Sequence, residues 1–370
     1  MKNTKQIRIL MSGGGTGGHI FPAIAIANAI KAMSPDAEFL FVGARGRMEM
    51  EKVPQAGYEI KGLWISGLKR ELNFSNLLFP LKIAVSMWKA YRIVKSFKPD
   101  IVIGTGGYAS GPTLRAAGFL KIPTAIQEQN SFPGITNKLL ADKALRIYVA
   151  YEGLEKYFPA GKLILSGNPI RQDAVDIAGK RGDGASYFGI DPHKTTVLVV
   201  GGSQGARSVN QAVKTFISTL AGNNLQLIWQ TGVAFEAEAK RVVQPFEGQG
   251  LKALAFINRM DLAYAAADII ISRAGAIAIA ELSVVGKPVI LIPLPTAAED
   301  HQRHNAEALV NKGAALMIAD NQLKEKLSTE VIALSTNTDK CRALGNAIAT
   351  LARPYADKTI AEDVLKLIHK

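Results

Sequence analysis

The chain has 370 residues, of which 48% are hydrophobic and 20% charged, with one cysteine and a formal net charge of +13. That length exceeds one ordinary core and suits two domains, and Cys341 alone excludes an intramolecular disulfide. Residues 1–165 carry 22 Lys/Arg against 11 Asp/Glu and residues 166–370 carry 22 against 20, so an anionic partner is expected to approach the first half. MKNTKQIRIL lacks the apolar stretch and small-residue cleavage site of a secretory signal, and Arg273 and Glu281 interrupt the longest apolar run, so a cytoplasmic chain without a membrane span is expected.

In chain order, strands are predicted at 7–12, 38–42, 100–104, 122–127 and 146–150, with helices near 21–33, 47–56, 81–97, 111–119 and 134–142. After Gly161, LILSGNPIR and a polar stretch with Gly179, Gly182 and Gly184 read as the interdomain connection. The second half repeats the alternation, with strands at 195–200, 225–230, 252–256, 268–271, 288–292 and 315–318. A last helix, Thr359 to His369, follows Pro354 and is expected to cross back to the first domain. Such alternation implies α/β architecture, with two Rossmann-like domains whose parallel sheets are covered on both faces and face one cleft. The expected divisions are 1–165, 166–355 and a helical 356–370.

Twice an apolar run ends in a glycine cluster that opens a helix, in IRILMSGGGTGGH (7–19) and TTVLVVGGSQGA (195–206). This pattern presents backbone N–H groups to phosphate. Only the first copy carries a titratable side chain, His19. A P-loop would need GK[ST] where GGGTGGH has histidine, and a nicotinamide site would need an acidic end to EFLFVG, which runs into Gly43, Ala44 and Arg45. No Asp-x-Asp occurs to bridge a metal and a diphosphate, and among the five histidines only His301 and His304 approach metal-ligand spacing. Neither a metal nor another cofactor is expected. A diphosphate would instead meet backbone N–H groups, hydroxyls and arginine, for which Ser203 and Arg171 are placed.

The stretch LKIAVSMWKAYRIVKSF (81–97) has two faces. Ile83, Met87, Ala90 and Val94 follow core spacing, while Leu81, Val85 and Trp88 share another face with Lys82, Lys89 and Arg92, downstream of Phe74, Leu77, Leu78 and Phe79. An apolar surface rimmed by cations suits an interfacial contact with an anionic membrane surface. The alternative is a solvated basic helix with snorkelling lysines. Nucleic acid is not an expected partner, because the basic segment lacks a reading motif.

The segments GGGTGGHIFP (13–22), GGYASGP (106–112), EQNSFPGITNK (128–138), GNPIR (167–171), GGSQGARSVN (201–210), FINRMDLAYAAADIIISRAGA (256–276) and DHQRHNA (300–306) together resemble the MurG family, in order and spacing, over nearly the whole chain. The resemblance implies an inverting, metal-independent glycosyltransferase of GT-B type in peptidoglycan biosynthesis, peripheral at the cytoplasmic face of the cell membrane. It would move N-acetylglucosamine (GlcNAc) from UDP-GlcNAc to the C4 hydroxyl of undecaprenyl-diphospho-MurNAc-pentapeptide, with the cell-wall synthesis machinery as a further partner.

By the same resemblance, His19 is the expected general base and Glu128 the competing one. Thr16, Gly17, Gly18 and Asn130 would serve the donor, and Tyr108 the acceptor surface. Arg171 and Ser203 would meet the diphosphate, backbone groups of Ile257 the uracil, Glu281 the ribose, and Gln302, with His301, the GlcNAc hydroxyls. Ala276, Ile277, Ala278, Ile279 and Ala280 would offer backbone groups. Ala278 and Ala280 stand where the family commonly carries hydroxyls, so side-chain contacts from those positions are absent. Three other readings are a GT-B transferase acting on diacylglycerol, a hydrolysing UDP-GlcNAc epimerase, and a membrane-bound sugar-nucleotide sensor without turnover.

Overall fold

The computed structural model describes residues 6–66, 79–202 and 204–369, with Phe79 described by its backbone alone. Ser203, Phe74, Leu77 and Leu78 lie outside the described residues, as does the Phe79 side chain. The chain divides into two compact units, Met1–Ile170 with Tyr355–Lys370, and Arg171–Pro354.

The first unit runs β1 (Arg8–Gly13), α1 (Gly17–Met33), β2 (Glu38–Ala44), α2 (Glu49–Gln55), β3 (Ile60–Leu63), α3 (Phe79–Phe97), β4 (Ile101–Gly106), α4 (Ser110–Phe119), β5 (Thr124–Glu128), α5 (Ile135–Leu140), β6 (Arg146–Val149) and β7 (Leu163–Leu165). Its seven strands form a parallel sheet in the order β3-β2-β1-β4-β5-β6-β7. The two-residue repeat of a strand sends Ile9 and Met11 to one face, with Ile20, Ile26 and Ile30 of α1, and Leu10 to the other, with Ala90 and Val94 of α3.

The second unit runs α6 (Gln172–Val175), α7 (Arg181–Phe188), β8 (Thr196–Val200), α8 (Arg207–Thr215), α9 (Ile217–Gly222), β9 (Gln226–Gln230), α10 (Val233–Val243), β10 (Leu251–Leu254), α11 (Met260–Ala266), β11 (Ile269–Arg273), α12 (Ala276–Val285), β12 (Val289–Ile292), α13 (His301–Val310), β13 (Leu316–Met317), α14 (Leu323–Ser335) and α15 (Thr338–Ala349). Its six parallel strands are ordered β10-β9-β8-β11-β12-β13. Trp229 of β9 is fully buried in that core, and its indole N–H is satisfied by Asn210 Oδ1 at 3.0 Å.

The last helix, α16 (Ala356–Ile368), belongs to the first unit. Ile360, Ala361 and Val364 enter the core beside α1, and Asp363 accepts from Tyr148 Oη at 2.9 Å. In each sheet the strand order reverses once, between β1 and β4 and between β8 and β11. The loops leaving the C-terminal ends of these strand pairs are where open α/β sheets place ligands.

Several sequence expectations are corrected. β3 and β7 were not predicted, because four- and three-residue edge strands carry too little periodicity to register. The Gly179–Gly184 stretch is not a connection throughout: from Arg181 it forms α7, and Gly184 is buried against the Leu262 carbonyl of α11. Helix α1 begins at Gly17 rather than Phe21, so His19 lies in its first turn. In α3 the buried positions are Ser86, Ala90, Ile93 and Val94, and Ile83 is exposed.

Candidate active site

At the reversal point of the first sheet, the turn after β1 and the turn after β4 press together. Gly107 has φ +84°, and a Cβ there would sit 2.2 Å from the Gly14 carbonyl oxygen. Beside it, a Cβ on Gly106 would come within 2.8 Å of His19 Cδ2, so GGY at 106–108 seats the imidazole as well as turning the chain. Thr105 Oγ1 donates to the His19 carbonyl at 2.7 Å, and Ser110 Oγ lies 2.7 Å from the Ser12 carbonyl, which fixes both turns to the sheet. His19 Nδ1 lies 3.1 Å from the Gly14 carbonyl and 3.3 Å from Thr16 Oγ1. Thr16, Gly17 and Gly18 line the start of α1, and Tyr108 is exposed at the next turn.

Glu128, at the end of β5, is buried and turned toward its own loop. Oε1 accepts from Asn130 N–H at 2.9 Å and from Asn130 Nδ2 at 3.2 Å; Oε2 accepts from Gly134 N–H at 3.2 Å and Asn137 Nδ2 at 2.8 Å. Burial pushes its carboxyl above the ordinary range, opposed by these donors. The Asn130 amide is therefore engaged with Glu128. Asn137 was not singled out in the sequence, although it closes this loop from α5.

In the second unit, Arg171 and Glu281 meet each other. Arg171 Nε donates to Glu281 Oε1 at 3.0 Å, and Tyr264 Oη lies 3.4 Å from Oε2. The carboxylate and the hydrogen bond to it hold the guanidinium pKa above its usual value against partial desolvation. The Ile257 N–H, part of the backbone expected to meet a base, donates to Gln230 Oε1 at 3.0 Å. Gln230 escaped the sequence reading as one more polar strand end, yet its Nε2 also donates to the Gly202 carbonyl at 3.0 Å. It thus ties the loop after β8 to Ile257.

Ala276, Ile277, Ala278 and Ala280 are half-buried around the first turns of α12, whereas the Ile279 side chain points into the core. Gln302 Oε1 accepts from Leu294 N–H at 3.0 Å, and His301 Nε2 lies 3.4 Å from Glu299.

On α3, Leu81, Val85 and Trp88 are exposed, Trp88 to 61%. Two of the lysines expected to rim this face are tethered: Lys82 Nζ donates to Ser66 Oγ at 3.2 Å, and Lys89 Nζ to the Gly62 carbonyl at 2.7 Å. Burial and the nearby Arg45 pull Lys89 below its usual pKa. Arg92, over the Trp88 ring at 4.9 Å, is the cation that stays with the apolar row. Among the described residues no helix is long and apolar enough to cross a membrane.

Two parallel Rossmann-like units, each with a glycine turn at the reversal point of its sheet, are the pair from which a GT-B fold is built. The glycosyltransferase family 28 N-terminal domain matches residues 9–149, and the C-terminal domain of the same family matches residues 196–359. A UDP-N-acetylglucosamine–N-acetylmuramyl-(pentapeptide) pyrophosphoryl-undecaprenol N-acetylglucosamine transferase from Flavobacterium psychrophilum is 51% identical over 365 residues, covering 98% of each chain. One of the same description from Cytophaga hutchinsonii is 50% identical, covering 100% of this chain and 99% of its own. The crystal structure of MurG from Acinetobacter baumannii is 25% identical, covers 98% of this chain and 99% of its own, and superposes with a TM-score of 0.79. The chain belongs to the MurG family of N-acetylglucosamine transferases.

Proposed function

We propose that this chain transfers GlcNAc from UDP-GlcNAc to undecaprenyl-diphospho-MurNAc-pentapeptide, the step that converts lipid I to lipid II in peptidoglycan synthesis. The observation that carries this reading is the end-to-end identity of about half of all residues with transferases of that description. It favours the lipid-linked muramyl acceptor over diacylglycerol, and turnover over a sensor.

In the finer reading, the acceptor C4 hydroxyl attacks the anomeric carbon from the face opposite UDP. The new C–O bond forms as the bond to the β-phosphate oxygen breaks, inverting the configuration. His19 Nε2 takes the hydroxyl proton, and UDP departs carrying the bonding pair. What supports His19 is its place in the first turn of α1, with Nδ1 against a carbonyl that can only accept. The ring proton then sits on Nδ1 and the basic lone pair on Nε2. Glu128 serves better as a brace for the 130–137 loop than as a base, since both its oxygens already accept from N–H groups.

On the donor side, Arg171, Ser203 and the backbone of Ala276–Ala280 neutralise the diphosphate as its charge grows, Glu281 receives the ribose hydroxyls, Ile257 offers its carbonyl to the uracil, and Gln302 reads the sugar. The first unit carries the acceptor chemistry and rests on an anionic bilayer through Leu81, Val85, Trp88 and Arg92, while the second carries UDP-GlcNAc.

The test supplies labelled UDP-GlcNAc and undecaprenyl-linked MurNAc-pentapeptide in detergent. Labelled lipid with stoichiometric UDP is the expected result. UDP release only with diacylglycerol, or no transfer at all, would refute the reading.

A further inference from the structure

The peptide joining Gly14 to Gly15 is held on both sides. Its N–H donates to Glu49 Oε2 at 3.0 Å, and its carbonyl faces His19 Nδ1 at 3.1 Å. The other oxygen of Glu49 accepts from Ala44 N–H at 2.9 Å, at the end of β2. Glu49 is 0% exposed, although it is the first residue of α2, a position that ordinarily faces water. A Cβ on Gly14 would meet Glu49 Oε1 at 2.1 Å, and one on Gly43 would meet its Cγ at 2.5 Å. Two glycines, one on each neighbouring strand end, leave room for this one carboxylate.

A single amide therefore stands between a buried carboxylate and the imidazole. An amide whose N–H donates to a carboxylate is polarised, and its carbonyl becomes the stronger acceptor. A stronger acceptor at Gly14 favours the Nδ1–H tautomer and steadies the positive charge that appears when Nε2 gains a proton. In the serine hydrolases a carboxylate does this by touching the histidine directly; here it would do so one peptide away.

We propose that Glu49 is a positioning residue for glycosyl transfer, acting through the Gly14–Gly15 peptide to hold His19 in its Nδ1–H tautomer and to support the imidazolium. The proposal rests on the assignment of His19 as base. In the step itself the hydroxyl proton goes to Nε2, Nδ1 keeps its own, and no proton passes to Glu49.

Glu49→Gln tests it, since the amide can accept one N–H but turns its own NH2 against the other. The expected result is a kcat lower by roughly tenfold or more with KM for UDP-GlcNAc within about twofold, and no further loss when the change is added to His19→Ala. An equal loss in the His19→Ala background would overturn the proposal. Nitrogen-15 spectra of the unsubstituted protein, with the His19 signal assigned from His19→Ala, give a second test that needs no Glu49 variant to fold. A proton on Nδ1 at pH 8 is expected, and a proton on Nε2 overturns it. Full turnover in His19→Ala would defeat the underlying base assignment. An undiminished kcat in Glu49→Gln, in a protein that does need His19, defeats the Glu49 assignment alone.

Discussion

Arg171 and Glu281 form a two-bond ion pair, with Nε to Oε1 at 3.0 Å and Nη2 to Oε2 at 3.4 Å, in which the carboxylate is buried and the guanidinium more than half exposed. Two residues proposed for different parts of a nucleotide are thus one unit, and the proposal implies that binding at one end is felt at the other. The asymmetry in burial also sets which partner can be lost more cheaply. Without Arg171 a buried carboxylate keeps, among the described residues, Tyr264 alone, whereas without Glu281 the guanidinium turns to water.

Arg171→Met should therefore raise KM for UDP-GlcNAc about tenfold or more and destabilise the second unit by ~1–2 kcal/mol, a value reduced for the exposure of the arginine. Glu281→Gln should weaken UDP binding with a smaller loss of stability. Calorimetric titration with UDP and urea unfolding check both. Unaltered UDP affinity in the two variants would remove this pair from the donor site.

Glu128→Gln sets an amide among four N–H contacts from three residues, so the expected effect is on the loop. The first unit should lose about 1–3 kcal/mol in urea unfolding, and Asn137→Ala, which removes one donor, should lose less. A turnover loss of a hundredfold or more with unchanged stability would instead return Glu128 to the role of base.

The outer face of α3 gives a prediction that spares the tethered lysines. Changing Leu81, Val85 and Trp88 together to Ser should weaken partition onto phosphatidylglycerol vesicles by about tenfold or more and leave UDP affinity unchanged. Undiminished sedimentation with vesicles would make this a solvated helix.

Asp261 anchors the second unit and sets an acid limit. Arg259 above all, through its bidentate contact, with Lys180 behind it, holds this carboxyl far below the usual range. The folded state binds the proton more weakly than the unfolded chain, so this contribution is complete above the unfolded pKa, near ~4, and is lost as pH falls toward the depressed folded value. The stability advantage of the parent over Asp261→Asn should shrink between pH 5 and pH 3. A constant difference across that range would contradict the assignment.

Much of this was legible in the chain because it is local. The runs IRILMSG and TTVLVVG announce strands that end in glycine turns, and the absence of a P-loop lysine beside His19 narrows the chemistry from the residues alone. What was hidden depends on residues distant in sequence. Glu49 lies 34 positions from Gly15, and Gln230 lies 27 from Ile257; only the pairing of β1 with β2 and of β9 with β10 brings them near. The helical wheel of α3 misplaced Ile83 and left Lys82 and Lys89 unpartnered, because their acceptors, Ser66 and Gly62, lie just after and within β3, which a four-residue edge strand hardly signals.

The role of His19 as base is read most directly by one comparison: turnover of lipid-linked acceptor by His19→Ala against the parent, with UDP affinity measured on the same preparations. A kcat reduced by roughly a hundredfold or more with UDP affinity unchanged is expected. Turnover retained within a few-fold, or UDP affinity lost in step with turnover, would contradict it.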